Sequence, residues 1–131
     1  MFKVIWLLKR KQGVSHQQFR ERYERHARLG HKYASHLMIG VRRNYKTETW
    51  SGASGNGFEP VSWDDYDCIT EWFMPHEGAF NEICRLLADP AIGKEFYDDE
   101  EDFLDRKSLL MIKCDTLGTG GGCGEPKLDP A

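Results

Sequence analysis

Apolar positions along the chain change period from segment to segment, and each period predicts an element. Residues 2–9, FKVIWLLK, form a short apolar, aromatic and β-branched run closed by Gln12-Gly13, the pattern of a buried strand. Residues 15–34, SHQQFRERYERHARLGHKYA, switch to a helical period. At about 100° per residue, Phe19, Tyr23, His26, Gly30 and Tyr33 share one stripe, while Arg20, Glu21, Glu24, Arg25 and Arg28 lie mostly off it. Ser15 and Gln18 have the spacing of a capping box. Glu21→Arg25 and Glu24→Arg28 stand at the favourable i,i+4 polarity. Gly30 is either a tolerated weak point of this helix or its early end. Residues 37–48 alternate as a second strand, 51–62 are a Gly- and Ser-rich loop flanked by Trp50 and Trp63, and 66–74 are a third strand that Pro75 closes. Phe80, Ile83, Cys84 and Leu87 give the i, i+3, i+4, i+7 stripe of a helix over 76–89. Pro90 opens a third helical stretch through about Leu104, anchored by Ile92, Phe96 and Phe103, and 108–115 read as a fourth strand.

The order βαββααβ points to an α+β, ferredoxin-like domain over residues 1–115, with a four-stranded antiparallel sheet and helices on one face. Residues 116–131 form a Gly-rich tail that cannot pack a core. Strands one and three are apolar on both parities, yet the helices suffice for one face only. A second copy packed sheet to sheet answers this, so the expected assembly is a homodimeric α/β barrel.

Composition narrows the partners. A chain of 131 residues with 40% hydrophobic and 30% charged residues has the make-up of one ordinary globular domain. A net charge of −3 gives no electrostatic case for nucleic acid or an anionic membrane. The opening apolar run is too short to span a bilayer and no small-residue cleavage site follows it, so the expected location is cytoplasmic. Cys68, Cys84, Cys114 and Cys123 lie far apart without a CxxC pair and read as free thiols.

Three blocks carry a resemblance. FKVIWLLKRKQGVSHQQFRERYERH resembles the opening of the EthD family, a branch of the dimeric α/β-barrel superfamily, through Arg10, Gly13, Ser15, Phe19, Tyr23 and His26. DYDCITEWF resembles its second block through Asp67, Glu71, Trp72 and Phe73, and DDEEDFLD its third through Asp99, Glu100, Phe103 and Asp105. The resemblance runs from Phe2 to about Cys114. The chain departs from the family in having Arg28 where a proline usually follows the helix-one histidine, and in a longer Trp50–Trp63 loop. The superfamily includes cofactor-free monooxygenases, polyketide cyclases and dehydratases, decarboxylases and lactone isomerases. EthD-like members occur in the degradation or tailoring of small organic molecules. The resemblance thus implies the fold with more force than the chemistry.

His26 is the leading catalytic candidate, because an imidazole on a buried stripe can take and return a proton near neutral pH. The alternative is a core histidine bonded to a backbone carbonyl. Tyr23, one turn earlier, is a candidate to orient a substrate oxygen or stabilise an enolate. Trp6, Trp63, Trp72, Phe73 and Phe103 are candidates to line a pocket for a small hydrophobic or aromatic ligand. With Trp50 and Phe58, Trp63 also makes residues 50–63 a candidate lid. No metal is expected, since His26, His31 and His36 fall five apart and do not converge on one helix face, and His16 and His76 sit at helix starts. The acids of Asp99–Asp105 read as a solvated face. There is no GxGxxG, no GxxxxGK[ST] and no nucleophile elbow, so no cofactor is expected. The preferred function is a cofactor-independent lyase, isomerase or cyclase. A cofactor-free monooxygenase and a non-catalytic ligand-binding dimer are the alternatives.

Overall fold

In the computed structural model, which describes residues 1–120, the opening apolar run forms strand β1 (Phe2–Leu8) and the later one β5 (Cys68–Met74). Being apolar on both parities, these two take the inner positions of a four-stranded antiparallel sheet. The outer strands are β2 (Gly40–Tyr45) and β6 (Leu110–Cys114), in the order β2-β5-β1-β6. With helices α1 (His16–Ala34), α2 (Glu77–Ala88) and α3 (Pro90–Glu100) on one face, the arrangement is ferredoxin-like. The tail from residue 121 onward, with Cys123, lies outside the described residues. Cys68, Cys84 and Cys114 are free thiols.

Several boundaries differ from expectation. Helix α1 runs through Gly30, and Leu37, expected to begin a strand, completes the 3-10 turn Ser35–Leu37 instead. The loop expected over 51–62 belongs to a hairpin, strands β3 (Thr49–Ser51) and β4 (Glu59–Val61), with Trp50 opposite Pro60. Gly55 and Gly57 at its tip have φ of 78° and 94°, a conformation glycine adopts without penalty. Helix α3 ends at Glu100, four residues short of Leu104.

Register decides which side chains meet the helices. Val4, Trp6 and Leu8 lie opposite Trp72, Thr70 and Cys68, and Val41, Arg43 and Tyr45 of β2 continue the same face. On it, Leu8, Phe19, Tyr23, Cys68, Phe103 and Leu104 form one buried cluster. Val4, Met74, Ala79, Phe80 and Ile83 form a second, and Trp6 packs against both. The capping box starts α1 as the sequence implies: Gln18 N–H donates to Ser15 Oγ at 3.1 Å, and Ser15 N–H to Gln18 Oε1 at 3.0 Å. Asp67, 7% exposed, ties the ends of the elements together. Its carboxylate accepts from Arg10 N–H at 2.8 Å and Arg10 Nε at 3.3 Å, and stands 2.9 Å from His16 Nδ1. A buried carboxylate needs such partners, and they fix where α1 leaves β1.

Among the described residues, the opposite face of the sheet carries no helix. Phe73 is covered there by Lys3 and Arg42, whose charged groups lie 5.2 and 5.9 Å from its ring centre. Beside it, Ile69, Leu110 and Ile112 are 39%, 49% and 43% exposed, next to half-buried Ile5 and Leu7. A contiguous apolar patch of this kind is uncommon on a monomer. We propose that a second copy of the chain covers it, which keeps the expected homodimer. Sedimentation equilibrium at low micromolar concentration should give twice the 15.2 kDa chain mass. Leu110→Glu should shift the protein to monomer while its far-ultraviolet circular dichroism stays unchanged. A compact wild-type monomer would contradict the proposal.

Candidate functional site

The stripe that buries Phe19 and Tyr23 continues one turn further to His26, so the imidazole enters the layer between α1 and α3. Its ring stands edge-on to Phe96 at 5.5 Å, 5.5 Å from Phe103 and 6.2 Å from Tyr23. A buried imidazole requires polar partners, and two consecutive acids of α3 supply them. His26 Nδ1 lies 2.6 Å from Asp99 Oδ2, and Nε2 lies 3.5 Å from Glu100 Oε1. An ionised carboxylate only accepts, so Nδ1–H donates to Asp99 and the Nε2 lone pair is left available for a proton. Glu100 is itself engaged by Arg106. Burial lowers the His26 pKa, and Asp99 opposes that shift without cancelling it. The ring is therefore neutral at pH 7, the form a general base requires.

His26 stands in the wall of a cavity of about 740 Å³ between α1, the helices α2 and α3, and the sheet. That size suits a small organic molecule. Trp6, Trp72, Val41, Met38 and Leu87 give it an apolar lining. The rings of Trp6 and Trp72 lie 5.0 Å apart, and the Trp6 indole N–H is buried without a hydrogen-bond partner among the described residues. Gly30 also lines the cavity, and a Cβ built there meets nothing within 4 Å, so the wall is open beside the imidazole. A second polar group lines the β2 side. Glu24 accepts from Arg43 through two contacts, 2.6 and 2.9 Å, and from the Tyr45 hydroxyl. The Arg43 bonds, with Tyr45 assisting, hold the Glu24 carboxyl below its ordinary pKa against burial.

The candidates from sequence divide on this geometry. His26, Tyr23, Trp6, Trp72 and Phe103 all line the cavity. Tyr23, however, is 7% exposed and its hydroxyl is 2.6 Å from Thr70 Oγ1. Burial drives its phenol far above the usual range, so it stays protonated and bonded to the sheet. Phe73 lies on the opposite face of the sheet. Trp63 sits on the hairpin arm, where its indole N–H donates to Asp65 at 2.6 Å and its ring meets Tyr66. Residues 50–63 likewise contribute nothing to the cavity wall. Asp99 and Glu100 were missed as partners of His26 because the acid run reads as a solvated face. Their signal was present: Phe96, Asp99, Glu100 and Phe103 stand at i, i+3, i+4 and i+7, which puts both acids in line with the apolar anchors. Among the described residues no group of three or more His, Cys, Asp or Glu is placed to hold a metal ion. No described helix is long and apolar enough to cross a membrane.

With the fold and site in view, comparison with known proteins gives the class. The model of the EthD domain matches residues 11–107, and the chain belongs to the EthD family. A search of curated proteins finds no match. Among solved structures, the crystal structure of the Arabidopsis thaliana protein At3g17210 is similar, with a TM-score of 0.58 and 20% identity over 92% of this chain and 99% of that one. The solution structure of the same plant protein, described as hypothetical, gives 0.56 and 20% over 91% and 90%. At that identity the likeness speaks for the fold.

The titration of His26 has a definite sign. Its folded pKa lies below the ordinary imidazole value of about 6.5, so the stability it contributes is fully present above that value. That stability is lost as the pH falls through the folded pKa. An NMR titration should place the His26 pKa below the ordinary imidazole value, and Asp99→Asn should lower it further. A wild-type His26 pKa above the ordinary value would contradict this electrostatic account.

Proposed function

We propose that the protein is a cofactor-independent enzyme that moves a proton on a small aromatic or polyketide-like ketone or acid, as a lyase, isomerase or cyclase. His26 is the general base and acid, and Asp99 holds its tautomer. The observation that carries this reading is the 2.6 Å Nδ1–Asp99 contact of an imidazole standing in the wall of an apolar cavity. Carbanion-forming and dehydrating steps alike need a base that accepts from carbon or oxygen and returns the proton later. A neutral imidazole, held by a carboxylate at one nitrogen and with its other lone pair in the cavity wall, supplies that. The aromatic lining from Trp6 and Trp72 favours a flat apolar body and reduces water around the reacting atoms.

One observation supports a second reading. Glu100 lies 3.5 Å from Nε2, so both imidazole nitrogens face acids of α3. On that basis His26 would be a structural tie between helices, and the chain a non-catalytic ligand-binding dimer.

The two readings separate in His26→Asn and His26→Ala, assayed for turnover on a panel of small aromatic ketones and β-keto acids and for thermal midpoint. Loss of a general base should lower kcat by about a hundred- to ten-thousand-fold with little change in midpoint. A large fall in midpoint with near-normal turnover per folded molecule would make His26 structural.

A further inference from the structure

The charge at the β2 side of the cavity is unbalanced. Arg20, Glu24 and Arg28 stand at i, i+4 and i+8 on α1, along the edge that faces β2, and all three line the cavity. By sequence spacing Glu24 would pair with Arg28. Instead the Glu24 carboxylate is turned to Arg43, with both oxygens on the guanidinium and the Tyr45 hydroxyl added. Arg28 then enters no ion pair among the described residues, and Arg20 rests its guanidinium 4.8 Å from the centre of the Tyr45 ring. Arg20, Arg28 and Arg43 therefore stand beside one carboxylate, Glu24, at this mouth, with Arg42 of β2 also in the lining, in a chain whose net charge is −3. Both Arg20 and Arg28 are exposed to solvent, so each can turn to a ligand without breaking a buried contact.

We propose that this mouth recognises the head of an amphipathic organic anion. Its apolar body lies on Trp6 and Trp72, and its carboxylate or comparable oxyanion is taken by Arg20 and Arg28. The inference rests on the cavity being a ligand site, as the proposed function has it, and adds the charge class of the ligand. Arginine suits this task because its planar fork presents paired donors to a carboxylate. Glu24 has a separate part: by tying Arg43 of β2 to α1 it keeps that cation as a fixed wall, and it withholds its own charge from Arg28.

The test uses a matched pair of probes, 1-anilinonaphthalene-8-sulfonate and N-phenyl-1-naphthylamine. They share one ring system and differ by the anionic group. Fluorescence titration of the wild-type protein should show the anionic probe binding about fivefold more tightly, the upper end for an accessible ion pair, with the preference shrinking as salt rises. Arg28→Gln and Arg20→Gln should each weaken the anionic probe and change the neutral one by less than twofold. Gly30→Leu, which places atoms where a Cβ meets open space, should weaken both. Equal affinities for the two probes in the wild type, or an anionic preference indifferent to both arginine variants, would overturn the anion-recognition claim and leave the ligand cavity standing. Failure of both probes to bind, or binding unaffected by Gly30→Leu, would overturn the claim together with the cavity reading beneath it.

Discussion

The structure turns on one constraint: the apolar stripe of α1 includes an imidazole. Phe19, Tyr23 and His26 follow each other at helical spacing, so the packing that buries the first two carries the third under α3. A polar ring in that position destabilises the fold unless its nitrogens find partners. Helix α3 meets the requirement with Asp99 and Glu100, placed between Phe96 and Phe103, which pack on the same ring. The contact that completes the core thus also sets the tautomer of the group proposed to do chemistry.

The cavity follows from what the helices leave uncovered. Tyr23 is bonded to Thr70 and Phe103 stacks on it, so the layer is solid at the β1 end. Beyond His26 the chain offers Gly30, and β2 offers Val41, so the layer thins there, while the Glu24–Arg43–Tyr45 group lines the β2 side of the cavity. Asp67 acts at a distance. By gripping Arg10 and His16 it sets the angle at which α1 leaves the sheet, and hence where the imidazole falls. This accounts physically for the first two family blocks: Arg10 is an ion-pair partner of the buried Asp67 carboxylate, and Trp72 lines the cavity from the strand that Asp67 precedes.

Most of the fold was legible because the periods were clean. The capping box at Ser15, the two-parity apolar runs of β1 and β5, and the α2 stripe each had one interpretation. The hairpin at 49–61 was not legible. Its strands are three residues long and half-buried to exposed, and Pro60 interrupts the second, so no alternation distinguishes them from a loop. At the site, His26 stood out as a titratable group on an apolar face, and Trp6 and Trp72 as rings in central strands. Phe73 was misplaced because a strand apolar on both parities does not say which face meets the helices; register with β1 decides it. The partners of His26 and Arg43 lie 73 and 19 residues away, and no local spacing announces such pairs. The i,i+4 rule pointed Glu24 to Arg28, yet the bidentate geometry offered by Arg43 from the sheet prevailed.

The central claim, that His26 presents a free Nε2 lone pair in the cavity wall while Asp99 holds Nδ1–H, is tested most directly by the tautomer itself. Nitrogen-15 NMR of histidine-labelled protein at pH 7.5 reads it in one spectrum. The account predicts a neutral His26 with the proton on Nδ1, the tautomer that water disfavours for free histidine, and an Nε2 signal that moves when a ligand enters the cavity. A proton found on Nε2, directed at Glu100 and insensitive to ligand, would make the ring a structural tie and contradict the account.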